Sequence, residues 1–186
     1  MAGILLSKTI TTKDTPMTKM KKPVTPNPWI EPPALMGKLG GFDTSPISLP
    51  NRPWPIANNH YTLDDNPLNM DWASFGRIWL FPPQGNDAKP YMQKLLEHGN
   101  GMALLPNRTE TQIFSDFVWQ NADAVLFIKS RLTFFHPDGE MAKGQTGTGS
   151  VLVAYGDSNA ESLRNSGIQG CFIDLRCSRH QIIQAA

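Results

Sequence analysis

Short apolar runs alternate with helix-like segments along most of the chain. Continuous apolar runs predict buried strands at Arg77–Phe81, Met102–Leu105, Ala124–Ile128, Val151–Tyr155 and Cys171–Leu175. Helical spacing or a glycine stop predicts helices over Ala34–Leu39, Lys89–His98, Thr109–Gln120 and Ala160–Arg164. Because strands and helices alternate, the pattern predicts an α/β fold, a mostly parallel sheet with covering helices and an antiparallel strand near the C-terminus.

Prolines and asparagines interrupt this alternation in the N-terminal half. Residues 26–33 are predicted to be extended, since a residue that precedes proline is pushed out of the α region. Phe42-Asp43 is predicted as a short strand, and residues 50–76 as an irregular excursion that covers one face of the sheet.

Length and composition predict one domain that is preceded by a basic N-terminal tail. The chain has 186 residues, 40% of them hydrophobic, which suits a single core. Formal net charge is +1, but residues 1–25 are rich in lysine, threonine and proline. We therefore expect a disordered basic tail over 1–25, a domain over 26–176 and a C-terminal tail over 177–186.

The strand at Arg77–Phe81 stops at a double proline, in the stretch Phe81-Pro82-Pro83-Gln84-Gly85. Proline has no backbone N–H and a fixed φ, so the strand must end there. In open α/β folds ligands bind at the carboxyl edge of the sheet, where such strands end. The double proline therefore predicts a ligand site.

Several other chemistries find no support in the sequence. Gly144–Gly149 has a phosphate-loop composition but no following helix, and is predicted to be a flexible loop. There is no Gly-x-Ser-x-Gly motif, and the histidines and cysteines lack metal-ligand spacing, so no metal is expected. Cys171 and Cys177 are read as free thiols, and no apolar run is long enough to span a membrane. We expect a soluble protein in the cytoplasm of a bacterial host cell.

Five segments, in order along the chain, resemble the phage-encoded DNA N-6-adenine methyltransferase family. They are Leu104–Thr111, Ala122–Phe127, Ser130–Phe134, Ser150–Gly156 and Leu163–Phe172. The resemblance extends from about Trp29 to Leu175. It implies a Rossmann-like methyltransferase sheet, S-adenosylmethionine as cofactor and double-stranded DNA as partner.

The resemblance also assigns the double-proline stretch to catalysis. In such enzymes the motif is Asn or Asp, then two prolines, then an aromatic residue, and the target adenine is flipped out of the duplex. The first side chain and the first proline carbonyl accept the amino hydrogens, and the aromatic ring stacks on the base. The implied catalytic positions are Phe81, Pro82, Pro83 and Gln84.

Three sites, with four residues between them, depart from the family pattern. Phe81 and Gln84 replace the acceptor and the aromatic residue, although Phe81 could stack while Gln84 accepts. Ser45 replaces the second carboxylate of a family-like Asp-x-Asp-Pro motif that begins at Asp43, and Glu31 replaces the threonine of Trp-x-Thr-Pro. The cofactor-binding positions implied by the resemblance are Trp29, Asp43 and Ser45.

Two functions follow from these observations. The first is an adenine-specific DNA methyltransferase. The second is a catalytically inactive homologue that binds DNA, or a host restriction or defence protein. Arg108 and Arg131 are the positive residues expected near the sheet edge, where they would contact DNA in either case.

Overall fold

The structure is a computed structural model and describes residues 24–177. Within that range the strands are β1 Thr44–Ser45, β2 Asn59–His60, β3 Ile78–Leu80, β4 Gly101–Pro106, β5 Ala124–Ile128, β6 Ser150–Tyr155 and β7 Gly170–Asp174. The α-helices are α1 Pro33–Leu39, α2 Lys89–His98 and α3 Asp157–Arg164. Shorter 3-10 helices cover Leu63–Asp65, Pro67–Asn69, Trp72–Ser74 and Gly85–Ala88, and a π-helix covers Phe114–Trp119.

The seven strands form one mixed sheet in the order β2-β1-β3-β4-β6-β5-β7. Strands β2, β1, β3 and β4 are parallel to one another. Strand β6 is antiparallel to both β4 and β5, and β7 is antiparallel to β5. Strands β1 to β5 thus share one direction, and the predicted α/β class is confirmed. Two strands, β6 and β7, run antiparallel to the others, where the sequence predicted one. β6 lies between β4 and β5, and every residue along it is therefore buried.

Side chains alternate between two apolar layers on the faces of the sheet. Ile78 and Leu80 of β3 join α2, the π-helix and the excursion in one layer. Trp79 of the same strand joins α1 and α3 in the other. This alternation along a buried strand is what a sheet covered on both faces requires.

Local structure differs from the sequence prediction in three segments. The short strand is Thr44–Ser45 rather than Phe42-Asp43, and the Asp43 carboxylate accepts from the Arg77 backbone N–H (2.7 Å) just before β1 and β3 begin. The helix predicted over Thr109–Gln120 includes the π-helix. The excursion at 50–76 contains β2, and its Trp72 and Phe75 are buried in the core.

Both predicted tails lie almost entirely outside the described residues, which exclude 1–23 and 178–186. Between residues 24 and 177, no helix is long and apolar enough to cross a membrane.

Candidate functional site

A cavity of about 600 Å³ opens where β3 and β4 end and β6 begins. The three strands meet at this edge because β3 and β4 are parallel, and because Ser150 at the start of β6 pairs with Pro106 at the end of β4. The volume is that of a small-molecule or single-nucleotide site. The cavity therefore lies at the carboxyl edge that the double proline predicted.

The double proline forms the cavity wall next to β3. Pro82 and Pro83 are buried, and the chain then turns through Gly85, whose φ is +68°, into a 3-10 helix that leads to α2. Gln84 is exposed at the start of this helix, and its side chain lines the cavity. The turn thus presents Gln84 to the cavity while the two prolines hold the backbone.

Aromatic rings line the same cavity. Phe81 stacks on Phe134, with ring centroids 5.4 Å apart and planes only 4° apart. Trp29 lies 5.0 Å from the His136 ring on the same wall. An aromatic, largely apolar cavity of this kind suits the flat face of a nucleobase. Phe134, which the sequence did not single out, takes part because Ile30 and Phe135 form a bridge that fixes the segment.

The glycine-rich segment predicted to be a flexible loop forms the outer wall of the cavity. Residues 142–149 all line it. Thr146 donates its backbone N–H to the Leu132 carbonyl (3.3 Å), and its hydroxyl donates to the Thr148 carbonyl (2.7 Å). A side chain at Gly144 or Gly147 would meet no neighbouring atom within 4 Å. The loop therefore covers the cavity without close packing.

All charged side chains that line the cavity are positive. Arg108 and Lys143 are exposed residues of its wall, and no Asp or Glu is among the described residues that line it. Arg131 follows β5, which ends at the same edge, but lies outside the cavity lining. The electrostatics of the cavity favour an anionic ligand such as a phosphate-bearing nucleotide.

Asp43 lies at the opposite, amino-terminal edge of the sheet. Its carboxylate accepts from the Arg77 N–H (2.7 Å) and the Asn58 side chain (3.4 Å). Gly76 has a φ of +65°, and a Cβ there would lie 2.4 Å from the Asp43 carboxylate. This carboxylate therefore holds together the chain segments that lead into β1 and β3, at the edge of the sheet opposite the cavity.

Ser45 ends β1 and is fully buried beneath a polar network. Its hydroxyl donates to the Ile47 carbonyl (3.3 Å) and accepts from Ser48 (3.0 Å), which lies 3.5 Å from the Arg52 guanidinium. Arg52 pairs with Glu31 at 3.0 Å, and both side chains are at least nine-tenths buried. The carboxylate missing at Ser45 is thus present nearby at Glu31.

Both oxygens of the Glu31 carboxylate have partners. Oε2 accepts from Arg52, and Oε1 accepts from the Trp79 indole N–H at 2.6 Å. The void that remains beside this pair has a volume of about 10 Å³, roughly that of one water molecule. The end of β1 is therefore filled by the protein's own side chains.

These residues do not fit S-adenosylmethionine at the end of β1. The chain passes from β1 outward to β2 and returns to β3 on the other side, so the topological switch point lies between β1 and β3, where a nucleotide cofactor would be expected. The cofactor needs room there, and a free carboxylate would add to its binding through the ribose hydroxyls or the positive charges. Asp43 is at the other edge, Ser45 is buried and Glu31 is engaged. Of the predicted cofactor positions, Trp29 alone lines the open cavity.

A metal site was not predicted. Over residues 24–177, no group of three or more His, Cys, Asp or Glu side chains is placed to hold a metal ion.

The chain is thus an α/β protein with a nucleotide-sized cavity at the carboxyl edge of its sheet, beside the switch point. Residues 24–166 match the family described as DNA N-6-adenine-methyltransferase (Dam), and the chain belongs to that family. The resemblance found in the sequence is thereby confirmed. Comparisons with curated proteins and with solved structures gave no match.

Proposed function

We propose that this chain is a DNA-binding member of its family that accepts an adenine base in the cavity but has lost efficient methyl transfer. The observation that supports this most directly is the cavity itself. It has aromatic walls, its charged lining consists of Arg108 and Lys143, and the acceptor position carries Phe81.

Recognition of a flipped base accounts for the composition of the cavity. An adenine that leaves the duplex needs an apolar slot with ring faces, and the neighbouring phosphates need positive groups at its mouth. Arg108 and Lys143 are positioned for those phosphates, and Arg131, at the same edge, extends the positive surface. Such contacts give affinity with little sequence information.

The position of Phe81 accounts for the loss of transfer. Its ring is held against Phe134 and offers no lone pair to an amino group, so the Pro82 carbonyl remains as the backbone acceptor. Removal of one preorganised polar group costs about 3 kcal/mol, on the order of a hundredfold to a thousandfold in rate.

A Rossmann-like methyltransferase fold is part of the proposal. The switch point between β1 and β3 supports it, as does the antiparallel β6 inserted between parallel strands. Phage origin, a host restriction or defence protein as an additional partner, and a bacterial cytoplasmic location remain predictions.

An active enzyme with exchanged roles is the second candidate. The observation that favours it is Gln84, whose exposed amide lines the cavity three residues after Phe81. In this arrangement Gln84 accepts the amino hydrogens together with the Pro82 carbonyl, and Phe81 stacks on the base.

Two measurements on the full chain test the proposal. Fluorescence anisotropy with duplex DNA should show binding that weakens steeply with salt. Incorporation of a labelled methyl group into the same DNA should stay at the level without protein, while an active adenine methyltransferase gives a positive control. Transfer by the wild type that is lost in Gln84→Leu would establish the second candidate, and absence of DNA binding would contradict both.

A further inference from the structure

Two of the three sites that depart from the family pattern, Ser45 and Glu31, are joined by hydrogen bonds and an ion pair in the structure. Phe81 of the third site lies beside them. Ser45 contacts Ser48, Ser48 contacts Arg52, and Arg52 pairs with Glu31. Phe81 lines the same small void as Glu31 and Arg52. In the sequence these residues are 14 to 50 positions apart and read as independent losses. In the structure Ser45 and Glu31 belong to one network, and Phe81 lies beside it.

We infer that Glu31 and Arg52 form a built-in plug, which fills the crevice at the end of β1 and keeps S-adenosylmethionine out of the protein. The inference deepens the proposed loss of methyl transfer and rests on it, because it names what excludes the cofactor. The neighbouring cavity stays open to a nucleotide base.

The plug is held from three sides, so it does not open as a loose surface pair would. Trp79 fixes one Glu31 oxygen from within the sheet. Arg52 donates its Nε to the Trp54 carbonyl at 2.8 Å, which ties it to its own loop. The segment that carries Glu31 is anchored by the paired backbone bonds between Ile30 and Phe135, both 2.9 Å. A buried pair with this many bonds is costly to separate.

The charge on the plug also acts against the cofactor. S-adenosylmethionine carries a positive sulfonium, a positive amino group and one carboxylate, so its net charge is positive. The group that faces the crevice beside Ser48 is the Arg52 guanidinium, while the Glu31 carboxylate is occupied by Arg52 and Trp79. Replacement of Arg52 by a small residue would both make room and release one oxygen of Glu31.

Calorimetric titration of S-adenosylmethionine into the full chain tests the plug. The wild type should give no saturable heat. Arg52→Ala, and the double variant Glu31→Thr/Arg52→Ala, should give a saturable heat, with a dissociation constant at least about tenfold below the highest cofactor concentration at which the wild type gives none. Arg164→Ala, which removes a surface arginine and leaves the Glu31–Arg52 pair in place, is the matched control and should behave as the wild type.

Each outcome decides the inference. A sub-micromolar dissociation constant for the wild type would overturn it, whether or not any variant folds. So would the absence of binding in an opened variant whose DNA affinity and unfolding transition show that it is folded. DNA binding is measured on the same samples. Wild type that binds the cofactor but transfers no methyl group therefore contradicts the plug alone, whereas wild type that methylates DNA contradicts the proposed function.

Discussion

Two neighbouring places on the carboxyl edge of the sheet differ, because one is an open cavity and the other is filled by side chains. At the ends of β3 and β4 a cavity of about 600 Å³ has aromatic walls and positive charge at its mouth. At the end of β1, next to it, a buried ion pair leaves a void of about 10 Å³. Phe81 lines both. Under the proposed function, the open place receives a base, whereas the filled place belongs to the protein's own structure.

The largest effect is expected from breaking the ion pair. Glu31→Ala leaves the Arg52 guanidinium buried without its carboxylate, and should lower the free energy of unfolding by about 3–5 kcal/mol. Urea denaturation measures the loss.

The matched control is Arg164→Ala. Arg164 pairs with Glu161 and with Asp174 on the surface, and its own side chain is about half exposed. Its removal should cost only about 0–1 kcal/mol. Equal effects of the two substitutions would mean that the Glu31–Arg52 pair is no more buried in solution than a surface pair. Glu31→Leu/Arg52→Met should be less damaging than Glu31→Ala, because no lone buried charge remains.

The next largest effect concerns methyl transfer. Phe81→Asn/Gln84→Tyr restores an acceptor and a stacking ring, and should raise the rate by about a hundredfold to a thousandfold, but only in the background of Glu31→Thr/Arg52→Ala. In the wild-type background the same double substitution should leave transfer at the level without protein. Labelled-methyl incorporation measures both. A gain of equal size in the two backgrounds would show that the crevice is open in the wild type.

The sequence predicted those elements whose pattern is local. α2 begins and ends at the predicted residues, because its apolar spacing is helical and Gly99 ends it with a φ of +69°. β5 matches as well, since a continuous apolar run of five residues has few alternatives inside a sheet. The double proline ends β3 at the edge where the cavity opens, and ligand binding there stays a prediction.

The plug could not be predicted, because its members are far apart in irregular segments. Glu31 and Arg52 are separated by 21 positions and two proline-rich stretches that have no periodicity. A signal was available in the acidic residue at Glu31, which departs from the family threonine just as Ser45 loses a carboxylate. The sequence read these as separate losses, and the contact that relates them depends on tertiary packing.

A smaller effect is expected at the mouth of the cavity. Arg108→Ala removes a guanidinium that has no hydrogen bond or ion pair within residues 24–177, and should weaken DNA binding by about threefold while lowering the salt slope by about 0.9. Anisotropy titrations at several salt concentrations measure both.

Lys38→Ala provides the comparison for Arg108→Ala. Lys38 is exposed in the last turn of α1, which leads to the amino-terminal end of β1 and hence to the opposite edge of the sheet. Its removal should leave the salt slope unchanged. Equal slopes for the two variants would place the DNA away from the cavity.

The smallest expected effect is on the pH dependence of stability, through His60 beside Arg52. Burial, and then the charge of Arg52, lower the pKa of His60 below its ordinary value of 6.5. The neutral ring suits its contact, since His60 Nε2 accepts from the Ile56 backbone N–H at 3.2 Å. Because the unfolded chain binds the proton more readily, the stability due to His60 is complete above 6.5 and is lost as pH falls from 6.5 towards the lower folded pKa. Arg52→Ala removes one cause of the shift, so the folded pKa should rise and this loss should become smaller.

NMR titration of His60, with urea unfolding over the same pH range, measures both quantities. An unchanged His60 pKa in Arg52→Ala would contradict the effect of the Arg52 charge on the ring and would leave burial as the cause of the shift.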